Sequence, residues 1–394
     1  MARRNRPRRP RGASAVGQRF EVVVGPVAHG GHCVARVEES QDSVEGSRTL
    51  RDRVVFVRHA LPGERAVVEI TEGTERDRFW RGNAVEILEP SAARVSAPCE
   101  YAGPGGCGGC DLQHVSRSGQ LDWKTMVVRE QLVRLAGMSA DDPLVTGLTV
   151  QTVGPDDGLR WRSRTRFVHL GQGRLGLRAY RSHQVVEVDD CLITAEPMVG
   201  AGREVETVTA AGRTHEFTRA LDGFWQPHVE APRVLVEAVV EMLGPKLGES
   251  VLDLYGGVGL FARFLGDEVG PDARVVLIEG DRIAAGHARG NLARGAAGST
   301  SVAAGDVEQV LGQRYDEPFD IVVLDPPRTG AKRAVVEQVV DRAPRAVAYV
   351  ACDPAALARD LKSFAELGYV TREIRAYDLF PMTHHVECIA LLTR

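Results

Sequence analysis

The sequence predicts a small β-barrel, then a β-rich segment carrying cysteines, then a doubly wound α/β domain. Three observations carry this. From about residue 228, short apolar runs alternate with helical segments: a helix at 232–243, then strands at 250–254, 274–278, 320–324, 346–351, 370–376 and 386–392. Between 15 and 90 the apolar runs are shorter, separated by Gly, Pro and charged turns, with no helical period. Between these regions, residues 91–227 hold Cys99, Cys107 and Cys110 in a glycine-rich stretch. The expected domains are therefore 15–90, 91–227 and 228–394, after a basic tail at 1–14.

The 394 residues carry a net charge of −4. The first twelve include six arginines and no acid, so the remainder is near −10. That balance excludes a uniformly basic nucleic-acid binder and confines any RNA surface to a local patch. No apolar run approaches the ~20 residues that span a bilayer, and no apolar stretch follows the basic tail as in a signal peptide. Seven cysteines, an odd and unevenly spaced set, fit a reduced cytoplasmic protein better than a disulfide scaffold. A monomer is expected.

The Arg- and Pro-rich tail reads as disordered: an arm for phosphates or a solubilising extension. Runs at 20–24, 54–57, 66–70 and 82–88 suit a five-stranded barrel of the OB type, a fold that often binds single-stranded nucleic acid. His29–His32 and the arginines around Phe79 and Trp80 offer phosphate and stacking groups, with at least one aromatic expected in the core. In the glycine-rich stretch, three thiols suit a metal or iron–sulfur site. Cys191 is the best fourth ligand, because 185–190 reads as a strand that could return it; Cys33 competes, and zinc would also accept four thiolates. Residues 120–137 read as an amphipathic helix closed by Gly137. Residues 159–167 read as a strand with Arg160, Arg162, Arg164 and Arg166 on one face. Against an acidic background, and continued by Arg174, Arg178 and Arg181, that face reads as a polyanion surface rather than a solvated one.

Val251–Phe261 reads as a strand, a glycine-rich turn and a helix start, with Tyr255, Gly256 and Gly259 where a ligand can approach backbone N–H groups. The next strand ends in Glu279, placed to accept ribose hydroxyls. Asp306 follows, placed for an adenine amino group. The third glycine of the dinucleotide fingerprint is missing, so S-adenosylmethionine is favoured over NAD. Asp325-Pro-Pro-Arg328 ends a further strand, as loops that hold a planar base do. Cys352 lies between the strand at 346–351 and a helix opened by Pro354. A helix N-terminus favours thiolate there and Asp353 opposes it; a packed thiol is the alternative.

These motifs closely resemble the bacterial RNA uracil-5-methyltransferases, in particular the iron–sulfur 23S rRNA branch, over nearly the whole chain. Phe-Trp-Gln226-Pro-His228 is similar to that family's F-x-Q-x-N. Asp253-Leu-Tyr-Gly256-Gly-Val-Gly259 is similar to D-L-[FY]-C-G-x-G. Tyr-Val-Ala-Cys352-Asp-Pro is similar to Y-V-S-C-N-P, and Phe380-Pro-Met-Thr-His-His-Val-Glu387 to F-P-x-T-x-H-V-E. The resemblance implies a TRAM β-barrel, a central domain whose Cys99, Cys107, Cys110 and Cys191 ligate a [4Fe–4S] cluster, and a Rossmann-like class I S-adenosylmethionine-dependent methyltransferase domain. Its first cysteine spacing, C-x7-C, is longer than the commoner C-x5-C. It further implies Cys352 as nucleophile on uracil C6, Glu387 as the base that removes the C5 proton, and Gln226, Tyr255, Gly256, Gly259, Glu279, Asp306 and Asp325 around S-adenosylmethionine. The cluster favours 23S rRNA over tRNA as substrate. Methylation of an exocyclic amine, which needs no nucleophile, and a non-catalytic RNA-binding factor are the competing expectations.

Overall fold

The computed structural model describes residues 12–37, 53–195 and 204–394. The chain divides into two compact units: Met1–Trp123, Val168–Asp189 and Met382–His384 in the first, Lys124–Phe167, Asp190–Pro381 and His385–Arg394 in the second. The basic tail up to residue 11 lies outside the described residues; Ser14, expected within the tail, makes a bridge to Thr74.

Among the described residues, the first unit contains a closed barrel of β1 (Arg19–Ala28), β2 (His32–Val37), β3 (Arg53–Arg58), β4 (Arg65–Glu72) and β5 (Phe79–Glu89), in the order β1-β2-β3-β5-β4. The pairing of β3 with β5 is parallel and β4 closes on β1, the Greek-key route of an OB-like barrel. Alternation selects the interior: Ala66, Val68 and Ile70 point inward along β4. Trp80 is fully buried while Phe79 is 41% exposed, so one aromatic of the pair is core and the other faces solvent.

After the barrel come α1 (Arg117–Gln131), α2 (Pro143–Thr146), β6 (Val150–Thr152) and a three-stranded sheet of β7 (Val168–Gly171), β8 (Arg174–Arg178) and β9 (Val185–Val188). The expected helix at 120–137 is α1 continued by one π-helical turn, Leu132–Ala136, and closed by Gly137 at φ +74°.

The expected arginine strand does not form. Residues 159–167 are irregular apart from an isolated bridge at Arg162, and Arg160 has φ +53°. Side chain-to-backbone bonds replace the ladder. Arg160 pairs with Asp190, the Arg162 Nε donates to the Arg164 carbonyl (3.0 Å) and the Arg164 Nη1 to the Gly223 carbonyl (2.5 Å). The ladder that would set the four guanidinium groups on one strand face is therefore absent.

In the second unit a hairpin of β10 (Val205–Ala210) and β11 (Arg213–Thr218) precedes α3 (Ala231–Leu243). Strands and helices then alternate: β12 (Val251–Leu254), α4 (Leu260–Val269), β13 (Arg274–Glu279), α5 (Arg282–Leu292), β14 (Ser299–Ala304), α6 (Val307–Arg314), β15 (Ile321–Leu324), α7 (Lys332–Asp341), β16 (Ala346–Ala351), α8 (Pro354–Glu366), β17 (Val370–Asp378) and β18 (Glu387–Thr393). They form a sheet of order β14-β13-β12-β15-β16-β18-β17-β6 among the described residues. Strands β12 to β16 run parallel; β18 enters antiparallel between β16 and β17. Strands β12, β15 and β16 are buried at every position, as parallel strands covered by helices on both faces must be. The sequence gives no sign of β14, whose first three residues are exposed, or of the three-residue β6.

Candidate active site

The site residues of the second unit gather at the carboxyl ends of β12, β13, β15 and β16, around the point where strand order reverses at β12, where open α/β sheets bind ligands. The turn after β12 is tight. Tyr255, Gly257 and Gly259 all have positive φ, at +61°, +56° and +93°. Positive φ at a bulky residue such as Tyr255 is uncommon and costs about 1–3 kcal/mol, so the surrounding turn must hold it. Gly256 is required by its neighbour, because an added Cβ would stand 2.6 Å from the Leu277 side chain. Cysteine, which the family motif has here, would need that leucine to move.

Glu279 is fixed toward this turn. Its Oε2 accepts from the Gly257 N–H (2.8 Å) and its Oε1 from the Asp281 N–H (2.7 Å), leaving lone pairs on both oxygens for further donors. Asp306 caps α6 by accepting from the Gln309 N–H (3.1 Å) and is exposed. It acts on Tyr255, whose phenol is pushed up first by burial and then by the charge of Asp306. Glu279 and Asp306 therefore both stand near this turn.

The reacting end is built from β15, β16 and β18. In the ladder Ala351 faces Cys388, so Cys352 and Glu387, the residues just beyond that last pair, come together at its end, where the charge of Glu387 acts on the thiol. The antiparallel insertion of β18 thus brings together a thiol and a carboxylate 35 positions apart in sequence. Half-buried Asp325 completes the group and accepts from the Gln226 Nε2 (3.2 Å). Burial pushes the Cys352 thiol up to about 12, reinforced by the charges of Glu387 and Asp325 and opposed by Arg328. Glu387 is held well above the carboxylate range by burial and by Asp325, again against Arg328. Burial raises Asp325 to about 7; the Gln226 hydrogen bond opposes this and Glu279 adds to it. Asp353 caps α8 through its Oδ1, accepting from the Ala356 N–H (2.8 Å), and its charge also raises the thiol. The balance left open by the sequence resolves toward a protonated thiol in the ligand-free protein.

This cluster has a pH signature. Because Asp325 is raised, the folded protein keeps that proton where the unfolded chain has lost it. The stabilisation is complete below the unfolded value near 4 and is lost as pH rises to about 7. Asp325→Asn should therefore melt higher than the wild-type protein at pH 8, by about 1–2 kcal/mol of stability, with the gap closing toward pH 4. Thermal melts across that range check it; a gap that does not change with pH would refute the assignment.

Other sequence-singled residues have structural places. His228 is fully buried, stacked on Trp161 at 5.6 Å and 11°, with Nδ1 accepting from the Glu230 N–H (3.0 Å). Burial lowers its pKa to about 4, so the ring is neutral. His385 accepts at Nε2 from the Arg328 Nη2 (3.2 Å). In the first unit, His384 pairs with Asp111 through Nδ1 (2.5 Å). Sequence reasoning missed the fully buried Lys124–Asp378 ion pair, whose Lys124 Nζ also donates to the Phe380 carbonyl (3.0 Å) at the start of the segment leading to Glu387.

The cysteine loop lies in the first unit. Cys107 N–H donates to the Tyr101 carbonyl (2.8 Å) and Gly108 N–H to the Arg178 carbonyl (3.0 Å). A Cβ on Gly106 would stand 2.2 Å from the Tyr101 oxygen, and one on Gly108 2.6 Å from the Tyr180 nitrogen. The glycines around Cys107 are therefore dictated by close backbone packing. Cys99, Cys107 and Cys110 are partly exposed, and so is Cys191, which belongs to the second unit; none is in a disulfide. Four cysteine sulfurs are the right donor chemistry for a soft metal centre. Among the described residues, however, no group of three or more His, Cys, Asp or Glu side chains converges as metal ligands do.

Counted from β12, the sheet reads 3-2-1-4-5-7-6 with its seventh strand reversed, and the crevice lies at the glycine turn; the fold is that of an S-adenosylmethionine-dependent class I methyltransferase. Residues 13–84 match the TRAM domain, 230–349 the methyltransferase small domain and 307–394 the tRNA (uracil-5-)-methyltransferase family. An uncharacterized RNA methyltransferase of Streptomyces coelicolor is 42% identical, covering 96% of this chain and 93% of its own. The 23S rRNA (uracil(1939)-C(5))-methyltransferase RlmD of Halomonas elongata is 30% identical over 97% of this chain and 91% of its own. The chain belongs to this family of RNA uracil-C5 methyltransferases. The crystal structure of the Pyrococcus abyssi tRNA (uracil-54, C5)-methyltransferase with S-adenosyl-L-homocysteine shares the fold, with a TM-score of 0.66 at 20% identity over 94% of this chain and 99% of that one. Among the described residues no helix is long and apolar enough to cross a membrane.

Proposed function

We propose that this chain methylates C5 of a uridine in 23S rRNA by covalent catalysis, acting in the cytoplasm as a monomer. The observation that carries the chemistry is the pairing of Cys352 with Glu387 across β16 and β18, with Asp325 beside them. Methylation of an exocyclic amine would need neither the thiol nor a carboxylate placed to take a carbon-bound proton.

S-adenosylmethionine, when bound, supplies an electrophilic methyl group. Tyr255, Gly256, Gly259, Glu279 and Asp306 hold its adenosine part, while Gln226 and Asp325 border the end where methyl and base meet. Uracil C5 is a poor nucleophile, and addition of the Cys352 sulfur to C6 turns it into an enolate carbon that can take the methyl. The thiol proton passes to ionised Asp325, so that it does not occupy the base that acts next. Once methylated, C5 still carries its original proton. Glu387, when ionised, removes it; the C–H electrons re-form the C5–C6 double bond and the sulfur leaves as thiolate. Burial raises the basicity of Glu387, which favours proton removal from carbon, and Arg328 is the cation that assists its ionisation. The uridine must leave its stack to reach this site, at a cost of a few kcal/mol.

We also assign Cys99, Cys107, Cys110 and Cys191 to a [4Fe–4S] cluster rather than zinc, in a structural or RNA-positioning role, since methyl transfer to an enolate carbon moves no electron. One experiment addresses substrate and cofactor together. Protein purified without oxygen is analysed for iron, sulfide and zinc, then incubated with labelled S-adenosylmethionine and unmodified 23S rRNA or tRNA. Label in 5-methyluridine of 23S rRNA, from iron- and sulfide-loaded protein, is the expected result. Label in tRNA alone, or in an exocyclic amine, would overturn the substrate assignment; one zinc per chain without sulfide would overturn the cluster.

A further inference from the structure

Two residues before Gln226, the second unit holds an aromatic side chain out in solvent. Phe224 is 66% exposed and Leu221, in the same turn, 48%. The adjacent Trp225 turns the other way and packs on Phe217 at 5.9 Å. The turn is held from its own backbone. Arg219, itself nearly fully buried and paired with Glu206, donates to the carbonyls of Ala220 (3.0 Å) and Leu221 (3.2 Å). Arg164 donates to the Gly223 carbonyl (2.5 Å). Two guanidinium groups thus fix the segment from which Phe224 projects, so the ring is presented with little conformational freedom to lose on binding.

The surroundings are positive. Arg162, Arg166 and Arg219 all lie close enough to Arg164 to act on its charge, with Asp222 the one acid among those neighbours. Arg166 is exposed, and no ion pair to it is seen among the described residues. An exposed aromatic beside clustered arginines is the pairing that single-stranded nucleic acid uses: bases stack on the ring and phosphates meet the cations. A purely apolar partner would leave these charges unanswered. The distance also fits. Two residues of chain span at most about 7 Å, and Gln226 bonds Asp325 at the reacting end, so the Phe224 backbone lies close to that end.

We propose that Phe224 is the stacking platform for the nucleotide next to the target uridine, with Arg166 taking the intervening phosphate. This deepens, and rests on, the assignment of a single extruded uridine as substrate.

The test uses the full chain and fluorescent r(U)12, with a second r(U)12 carrying abasic sites at alternate positions. Stacking contributes on the order of 1–3 kcal/mol per base, so Phe224→Ala and Phe224→Leu should bind r(U)12 about tenfold more weakly than the wild-type protein. Phe224→Trp should bind as tightly, with extra tryptophan emission quenched by RNA. On the abasic strand Phe224→Leu and wild-type protein should bind alike. Arg166→Gln should weaken both strands and lower the salt slope by about 0.7. Wild-type affinity of Phe224→Leu for r(U)12, or an equal loss on the abasic strand, overturns the platform. Methyl transfer by the wild-type protein is assayed on the same preparation. Transfer together with undiminished binding by Phe224→Leu removes the platform and leaves C5 methylation standing. Base-dependent binding through Phe224 without any transfer removes C5 methylation and leaves the platform.

Discussion

Glu387→Gln protein is expected to stall with RNA covalently attached. Its glutamine keeps the shape at the start of β18 and the place beside Cys352 but accepts no proton from carbon. Sulfur addition and methyl transfer precede the lost step, so one methyl group per chain should accumulate in an RNA–protein adduct that survives denaturation. Turnover should fall by about 10²–10⁴-fold, the usual contribution of a positioned base. Cys352→Ala should show neither adduct nor product. Denaturing gels with labelled RNA, and with labelled methyl donor, read both. An adduct-free Glu387→Gln protein that still turns over at the wild-type rate would exclude the carboxylate from the reaction.

The same pair explains why the resting thiol need not be reactive. Burial, Glu387, Asp325 and Asp353 all hold the Cys352 proton on, while Arg328 pulls the other way. A buried thiolate would be prone to oxidation and alkylation between turnovers. Keeping the thiol neutral until substrate and methyl donor change its surroundings protects it at the expense of resting nucleophilicity. Alkylation of the ligand-free protein by iodoacetamide should accordingly remain slow at pH 8.

How far the sequence reveals this site depends on the range of the interaction. The parallel strands are legible because β15 and β16 are unbroken apolar runs and β12 is interrupted only by Asp253, all of them buried on both faces. Glu279 is legible as an acid ending a strand, although its bonds to Gly257 and Asp281 are not. The meeting of Cys352 and Glu387 depends on β18 entering antiparallel beside β16, which no local pattern states; only the resemblance of the two motifs to one family joined them. Residues 159–167 mislead for the opposite reason. Alternating Arg and uncharged residues have the period of a strand, yet long guanidinium side chains can reach backbone carbonyls and carboxylates and replace the ladder that the period implies. Gly256 marks a departure from the family motif whose reason, the position of Leu277, lies on the next strand.

Lys124 is the residue most detached from any local signal, and its removal should be the most destabilising change. It lies 254 positions from Asp378, and both side chains are fully buried. Lys124→Met removes the cation that faces buried Asp378, a loss of about 3–5 kcal/mol. For a unit of this size that lowers the melting temperature by on the order of 10 °C. Replacing the pair together, Lys124→Met with Asp378→Leu, should recover most of that stability, because apolar side chains of similar volume often substitute for a buried ion pair without loss. Activity should not recover with it. Lys124 also holds the Phe380 carbonyl, the first residue of the segment that ends in Glu387, and neither apolar side chain can replace that bond. The double variant should therefore fold near wild-type stability, bind RNA normally and turn over slowly, with the RNA adduct lasting longer before release. A double variant that regains both stability and turnover would show that the ion pair serves folding alone and that Glu387 is positioned without it.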